Sequence, residues 1–478
     1  MYCESSITSL NDKELNVNEG LSSEQVSDVK YLITDFPDVF SDVPGHTKSI
    51  EHVIKLESNV PVSKKPFPIP HHLVLVFDKE VDRMLKLGII EPSNSPYCSP
   101  VVLVRKSDQT WRFCIDFRGL NDITSFDCEP MPTIEDALGN FSNDVYFSEL
   151  DLTKGYWQIP LSKVSKIYTA FATSRGLMQF VMMPFGLKTA CATFVRLMRI
   201  VTCGLKNTDC YFDNIVVHNS NWSEHLQDLR ELLNRLRLHG LTAGISKCYF
   251  GYPKIKYLGL LLGDNALTPL DVRVKSISEM PFPNTKKELR SFLGTVGFYR
   301  KFIPNFSDTA APLNDMLKKL SSNKLKWSDV QIDSFQSLKA KLSNNPVLCL
   351  PDYKKTFYLR TDASDNGLGA VLLQDVNDMK MPIAYASRKL LERERNYATI
   401  EKECLAIIWA VDKFKNYLFG KEFVLQTDQQ PLTYLRNMKN SNGRLMRWSL
   451  ILLCYSYRIE YIKGNYNIGA DLLSRCPV

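Results

Sequence analysis

From Cys210 to Val217 the chain reads Cys-Tyr-Phe-Asp-Asn-Ile-Val-Val, an apolar run interrupted by a single polar step at Asp213-Asn214. Aromatic and β-branched residues on both sides predict two paired strands with the polar step at their turn. An acid at such a tip costs desolvation energy unless it bonds its own backbone or holds something charged. A second carboxylate has a comparable setting. Asp151 closes Phe147-Ser148-Glu149-Leu150-Asp151-Leu152, where the apolar neighbours predict the edge of a strand.

Two carboxylates at strand ends suit chemistry that runs on divalent cations. Nucleotidyl transfer uses two such ions, one to lower the pKa of an attacking hydroxyl and one to gather a triphosphate. Mg²⁺ is a hard ion that prefers oxygen, so Asp is the expected ligand type. Taken singly, either Asp is more often a turn-stabilising residue than a ligand.

The bulk properties exclude several classes. A chain of 478 residues, 44% hydrophobic and 23% charged, has the make-up of a globular protein of two to four units. Its twelve cysteines contain no C-x-x-C pair, so neither a zinc knuckle nor a disulfide scaffold is expected. The start lacks a hydrophobic signal segment, and no apolar run approaches the ~20 residues of a membrane span. The expectation is an intracellular protein, cytoplasmic or nuclear and not secreted. The 59 Lys and Arg exceed the 52 Asp and Glu by seven. Asn221 to Asn345 holds 19 basic and 11 acidic residues, so the surplus is concentrated there. Such a segment suits a phosphate-tracking surface, although charge alone fits a solvated face equally well.

Along the chain, residues 1–45 form a polar leader with one amphipathic stretch near Val26–Phe40. Val101–Arg105 and Trp111–Phe117 read as a hairpin broken at Ser107-Asp108. Ser223 is a candidate cap for a helix with Leu226, Leu229, Leu233 and Leu236 on one face, stopped by Gly240. Later, Phe357–Arg360 and Ala370–Leu373 read as strands. A long helix carries Ile400, Cys404, Ile407, Val411, Phe414 and Leu418 on one stripe and stops at Gly420. Strand Phe423–Thr427 follows, an order that predicts a small α/β domain.

Three stretches in order, Leu150-Asp151-Leu152-Thr153-Lys154-Gly155-Tyr156-Trp157-Gln158, Met183-Pro184-Phe185-Gly186-Leu187 and Tyr211-Phe212-Asp213-Asn214, resemble the palm motifs of gypsy-type long-terminal-repeat retroelement reverse transcriptases. Trp111-Arg112-Phe113 through Asn121, Tyr257-Leu258-Gly259, and Ser291-Phe292-Leu293-Gly294 with Tyr299-Arg300-Lys301-Phe302 extend the likeness from about Ser49 to the end. The resemblance implies that Asp151 and Asp213 hold the catalytic metals. It also implies that Tyr156 stacks under the incoming sugar and excludes a 2′-hydroxyl, that Arg112 grips the nucleotide phosphates, and that Phe185 lines the pocket. Core packing is the bland alternative for Tyr156 and Phe185. The family pattern ends in Asp-Asp, whereas here Asp213 is followed by Asn214, an altered position that removes a full negative charge. Cys191 and Tyr168 also depart from the pattern, standing where Pro and Lys are usual. Impaired polymerase chemistry is the expectation, with Asn214→Asp expected to recover much of it.

The same resemblance places four acids of an RNase H site: Asp362 in Thr361-Asp362-Ala363, Glu403 in the long helix, Asp428 in Thr427-Asp428-Gln429, and Asp471 in Ala470-Asp471-Leu472. Together they would hold metal and activate water against a ribo-phosphodiester. The implied fold is an α+β right-hand polymerase followed by an α/β RNase H-like domain. Fingers and palm are expected at 46–240, thumb and connection at 241–345, and RNase H at 346–478. The expected cofactor is Mg²⁺ or Mn²⁺. The expected partners are an RNA or DNA template-primer and deoxynucleoside triphosphates, with no membrane. Neither an aspartic-protease triplet nor an integrase zinc motif occurs, so the chain is expected to be a segment of a longer polyprotein. Two other readings stand beside this one: a non-catalytic nucleic-acid-binding remnant, and a hybrid nuclease in which only the RNase H site works.

Overall fold

Strand Tyr146–Asp151 shows how alternation builds the first unit: Ser148 and Leu150 point to one face, while Phe147, Glu149 and Asp151 share the other. The computed structural model describes residues 15–58, 60–105, 109, 111–141, 143–304, 306–318, 324–344, 346–376, 379–427 and 443–462. These fall into two compact units, residues 1–255 and 256–478, so the division lies inside the stretch 241–345.

In the first unit the central sheet has the order Asn16–Val17, Tyr249–Tyr252, Tyr146–Asp151, Asn214–Asn219, Thr208–Tyr211. Asp151 lies opposite Asn214 and Leu150 opposite Ile215 in an antiparallel ladder. Leu150, Ile215 and Val217 are fully buried in one core with Phe194 and Leu197 of helix Ala190–Thr202 and with Leu229, Leu233 and Leu236 of helix Trp222–Leu238. The latter helix is capped by Asn221 rather than Ser223. Asn221 has the extended backbone a cap needs, and its side chain accepts the Ser223 N–H at 2.9 Å. Gly240 ends it at φ +65°, where a Cβ would meet the His46 carbonyl at 2.7 Å.

The amphipathic stretch near the start becomes helix Ser23–Thr34, closed by a Ser22–Gln25 capping box. Its Val29, Leu32 and Ile33 join the same core, so from Leu15 onward this segment is part of the unit's packing. The hairpin Val101–Arg105 with Trp111–Ile115 is in register from Val101 opposite Ile115 to Arg105 opposite Trp111.

The second unit begins with antiparallel strands Leu260–Gly263 and Ala266–Pro269 and helices Lys286–Phe298, Phe306–Asp315 and Asp329–Ser343. Phe292 and Phe335 meet at 4.4 Å between ring centres, Phe282 and Phe335 at 4.7 Å, and the Trp327 indole donates to the Pro283 carbonyl at 3.0 Å. Such ring pairs add about 0.5–1.5 kcal/mol each beyond burial. A five-stranded sheet follows in the order Met379–Lys389, Gly367–Val376, Phe357–Ala363, Glu422–Thr427, Ser456–Tyr461. The first three strands are antiparallel and the last two join in parallel. The predicted helical stripe divides at Phe414 into helices Thr399–Lys413 and Lys415–Leu418. Cys404, Ile407, Val411 and Leu418 bury against Phe357, Leu359 and Leu425 of the sheet. Among the described residues no helix is long and apolar enough to cross a membrane.

Candidate active sites

Tyr211 pairs with Asn214, so Phe212 and Asp213 alone form the turn of the acidic hairpin. Phe212 sits at φ +57°, a left-handed conformation that costs an aromatic residue about 1 kcal/mol or more. The Cys210 thiol donates to the Phe212 carbonyl at 3.0 Å, and the Tyr211 and Phe212 rings meet edge-on at 4.8 Å. These contacts hold the turn that carries Asp213. Asp151, one strand over, is half-buried. Burial raises its carboxyl pKa, the Lys247 ammonium opposes that shift, and the charge of Asp213 adds to it. Lys247 Nζ stands 3.5 Å from both Asp151 oxygens. A Cβ on Gly155 would lie 3.0 Å from the Phe194 ring and 3.6 Å from the Asp213 Cβ, so glycine there lets the turn approach closely.

Asn214 is committed to a partner that sequence reading did not weigh. Its Nδ2 donates to Glu149 Oε1 at 2.7 Å. Its Oδ1 is buried and has no hydrogen-bond partner among the described residues. The Glu149 carboxyl is pushed up by burial and by the Asp151 charge, with the Asn214 hydrogen bond working against both. The signal was available in the strand's period of two, which puts Glu149 and Asp151 on one face.

The expected nucleotide-binding residues come together beside these acids. The Tyr156 ring lies 4.8 Å from Phe185 and 5.2 Å edge-on to Phe194, and the Arg112 guanidinium is 5.9 Å from the Phe185 ring centre. Phe185 remains 47% exposed, so it is not simply core. The Tyr156 hydroxyl meets the Cys191 thiol at 3.1 Å, and burial first, then Cys191, drive its pKa upward. Tyr168, the other unusual position, packs edge-on to Tyr97 at 5.1 Å.

In the second unit Asp362 lies on strand Phe357–Ala363, opposite Gly369, and Glu403 on helix Thr399–Lys413. They are 2% and 3% exposed. Buried acids of this kind need strong compensation, which is why they are rare outside working sites. Flanking pairs brace the helix: Lys402 bonds Asp365 at 2.6 Å, and Arg444 bonds Glu401 at 3.0 Å while lying 3.9 Å over the Tyr397 ring. Asp428 and Asp471 lie outside the described residues. Among the described residues no three His, Cys, Asp or Glu side chains gather closely enough to hold a metal ion. The oxygen-only donor set at Asp151 and Asp213 still suits a hard dication, and the Lys247 ammonium already attends Asp151 as a cation would.

Residues 104–262 match the family described as reverse transcriptase (RNA-dependent DNA polymerase), and residues 352–455 match the RNase H-like domain found in reverse transcriptase. With the sheets and acids above, these define the class: a reverse transcriptase domain and an RNase H-like domain on one chain. The sequence is 39% identical over 442 residues to the retrovirus-related Pol polyprotein from transposon 297 of Drosophila melanogaster, covering 90% of this chain and 41% of that protein. It is 35% identical over 446 residues to the Pol polyprotein from transposon gypsy of the same organism, covering 89% and 43%. To the transposon Tf2-7 polyprotein of Schizosaccharomyces pombe it is 31% identical over 493 residues, covering 98% and 37%. The chain carries both of these domains, its relatives include Pol polyproteins of gypsy-type and other long-terminal-repeat transposons, and it spans less than half the length of these relatives. In fold it is similar to the foamy viral protease-reverse transcriptase in complex with double-stranded DNA, at TM-score 0.85 and 22% identity, covering 93% of this chain and 80% of that one. It is also similar to the same protein in complex with RNA/DNA hybrid, at TM-score 0.80 and 22% identity, covering 96% and 62%.

Proposed function

We propose that the chain is an RNA-directed DNA polymerase that also cleaves the RNA of an RNA–DNA hybrid. The observation that carries this reading is the placement of Asp151 and Asp213 beside the Arg112–Phe185–Tyr156 cluster, acids next to an aromatic and cationic wall. Residues 46–240 serve as fingers and palm, 241–345 as thumb and connection, and 346–478 as the RNase H-like domain. The partners are a template-primer of RNA or DNA and deoxynucleoside triphosphates. The segment 221–345 supplies most of the positive surface.

Mg²⁺ or Mn²⁺ would be held by Asp151 and Asp213 in the first centre and by Asp362, Glu403, Asp428 and Asp471 in the second. Bound there, a divalent ion supplies Lewis acidity toward the attacking oxygen and neutralises phosphate charge. The chain's own residues do the positioning. Arg112 offers a planar fork to phosphate oxygens. Tyr156, braced by Phe194 and Cys191, presents a fixed wall to the sugar. Primer extension and hybrid cleavage measured on one purified sample test the reading. Absence of both with divalent metal present would refute it.

A further inference from the structure

Position 214 is the one place where the polymerase centre departs from a full set of acids, and Glu149 faces it. We propose that Glu149 and Asn214 act as a matched pair: Glu149 supplies the negative charge that position 214 lacks, and it holds the Asn214 amide so that Oδ1 remains as the oxygen donor. This deepens the reading above and rests on it.

The geometry is specific. Glu149 and Asp151 lie two residues apart on one strand face, and Asn214 stands directly across the ladder from Asp151. The Glu149 carboxylate can only accept, so at 2.7 Å it must face the Nδ2 end of the Asn214 amide. That choice leaves Oδ1, buried and with no partner among the described residues, as the amide's lone-pair oxygen. An amide carbonyl oxygen is an acceptable ligand for a hard cation. Glu149 itself is engaged by Asn214, so its contribution is charge and orientation rather than ligation. Glu149 is therefore a positioning residue acting through Asn214.

The pairing changes what repair at position 214 would do. Asn214→Asp alone would set two carboxylates at hydrogen-bond distance, beside Asp151 and with no donor between them. Like charges so close are unfavourable. The substitution that preserves the arrangement is a swap, Glu149→Gln with Asn214→Asp, which keeps one carboxylate, one amide and the bond between them.

The test is a four-member cycle: the unaltered chain, Glu149→Gln, Asn214→Asp and the swap. Each is made as the full chain in an Asp362→Asn background so that the second centre contributes less to metal binding. Mn²⁺ affinity is read by titration of free Mn²⁺, and thermal unfolding is read in chelator. Glu149→Gln retains a hydrogen bond to Asn214 but loses the charge, so Mn²⁺ binding is expected to weaken by about tenfold or more. Asn214→Asp is expected to lower Tm in chelator by several degrees, with added Mn²⁺ reversing the loss. The swap is expected to recover both affinity and metal-free Tm, a strongly non-additive result. Unchanged Mn²⁺ affinity in Glu149→Gln, or additive effects across the cycle, would overturn the proposal. Neither readout requires turnover. If no variant extends a primer yet the cycle is non-additive, the functional reading fails and the pair stands.

Discussion

The hydroxyl of Tyr156 meets the thiol of Cys191 at 3.1 Å, joining the aromatic wall beside Asp213 to the first turn of helix Ala190–Thr202. The thiol thus occupies a position where proline is usual in the family resembled, and it gives the tyrosine a polar anchor. If Tyr156 is the wall that rejects a 2′-hydroxyl, Tyr156→Ala opens the site to ribonucleotides. Discrimination against ribonucleoside triphosphates is expected to fall by about 10- to 100-fold. Primer extension with matched deoxy and ribo substrates measures it; unchanged discrimination would remove Tyr156 from this role.

The two centres are expected to fail separately. Asp213→Asn should cut primer extension by at least about two decades, equivalent to ~2.7 kcal/mol of barrier, while hybrid cleavage continues. Asp362→Asn should do the reverse. Both substitutions are near-isosteric, so a shared loss of both activities would instead indicate unfolding, which circular dichroism would reveal.

Binding to an RNA–DNA hybrid is expected to depend steeply on salt, because the segment 221–345 carries 19 basic and 11 acidic residues. Neutralising roughly six phosphates would cost about a thousandfold in affinity between ~50 and ~200 mM salt. A flat response in a fluorescence-anisotropy titration would contradict a phosphate-tracking role for this segment.

His218 lies between Asp144 at 2.7 Å and Asp209 at 2.9 Å. Burial works against its charge, but the two carboxylate hydrogen bonds outweigh that and raise its pKa to about 9. A raised folded-state pKa stabilises fully below the unfolded value of ~6.5 and is lost as pH climbs through the folded value. The first unit should therefore lose on the order of 3 kcal/mol between about pH 6.5 and 9. His225 has the opposite sign. Burial lowers it to about 3, while Ser148 and Asn219 bond its two ring nitrogens at 2.7 and 3.0 Å. Its contribution is present above ~6.5 and fades as pH falls toward the folded value. Denaturant unfolding across pH should show the alkaline loss in the unaltered chain and a flatter alkaline limb in His218→Gln. An identical limb in both would dismiss the charged His218.

Much of the local architecture was legible from spacing alone. The hairpin at Val101–Ile115, the helix after Asn221, the strands around Asp362 and Leu372 and the stripe from Cys404 to Leu418 follow from periods of 2 and 3.6, which any short window of sequence carries. Asp151 and Asp213 were identifiable because each is an acid in apolar surroundings. Tertiary structure decided the partners. Glu149 and Asn214 are separated by 65 residues, Asp151 and Lys247 by 96, and Tyr156 and Cys191 by 35. Nothing in a local pattern names such a partner, because ladder register and helix docking are settled by the packing of the whole core. The same holds for Val29, Leu32 and Ile33: a polar beginning suggested a leader, and only the shared core with Leu233 and Leu236 shows why those positions are apolar. Asn214 read alone is a missing charge; across the sheet from Asp151, with Glu149 at its amide, it is one half of a pair, because a side chain's electrostatic role belongs to its neighbours in space.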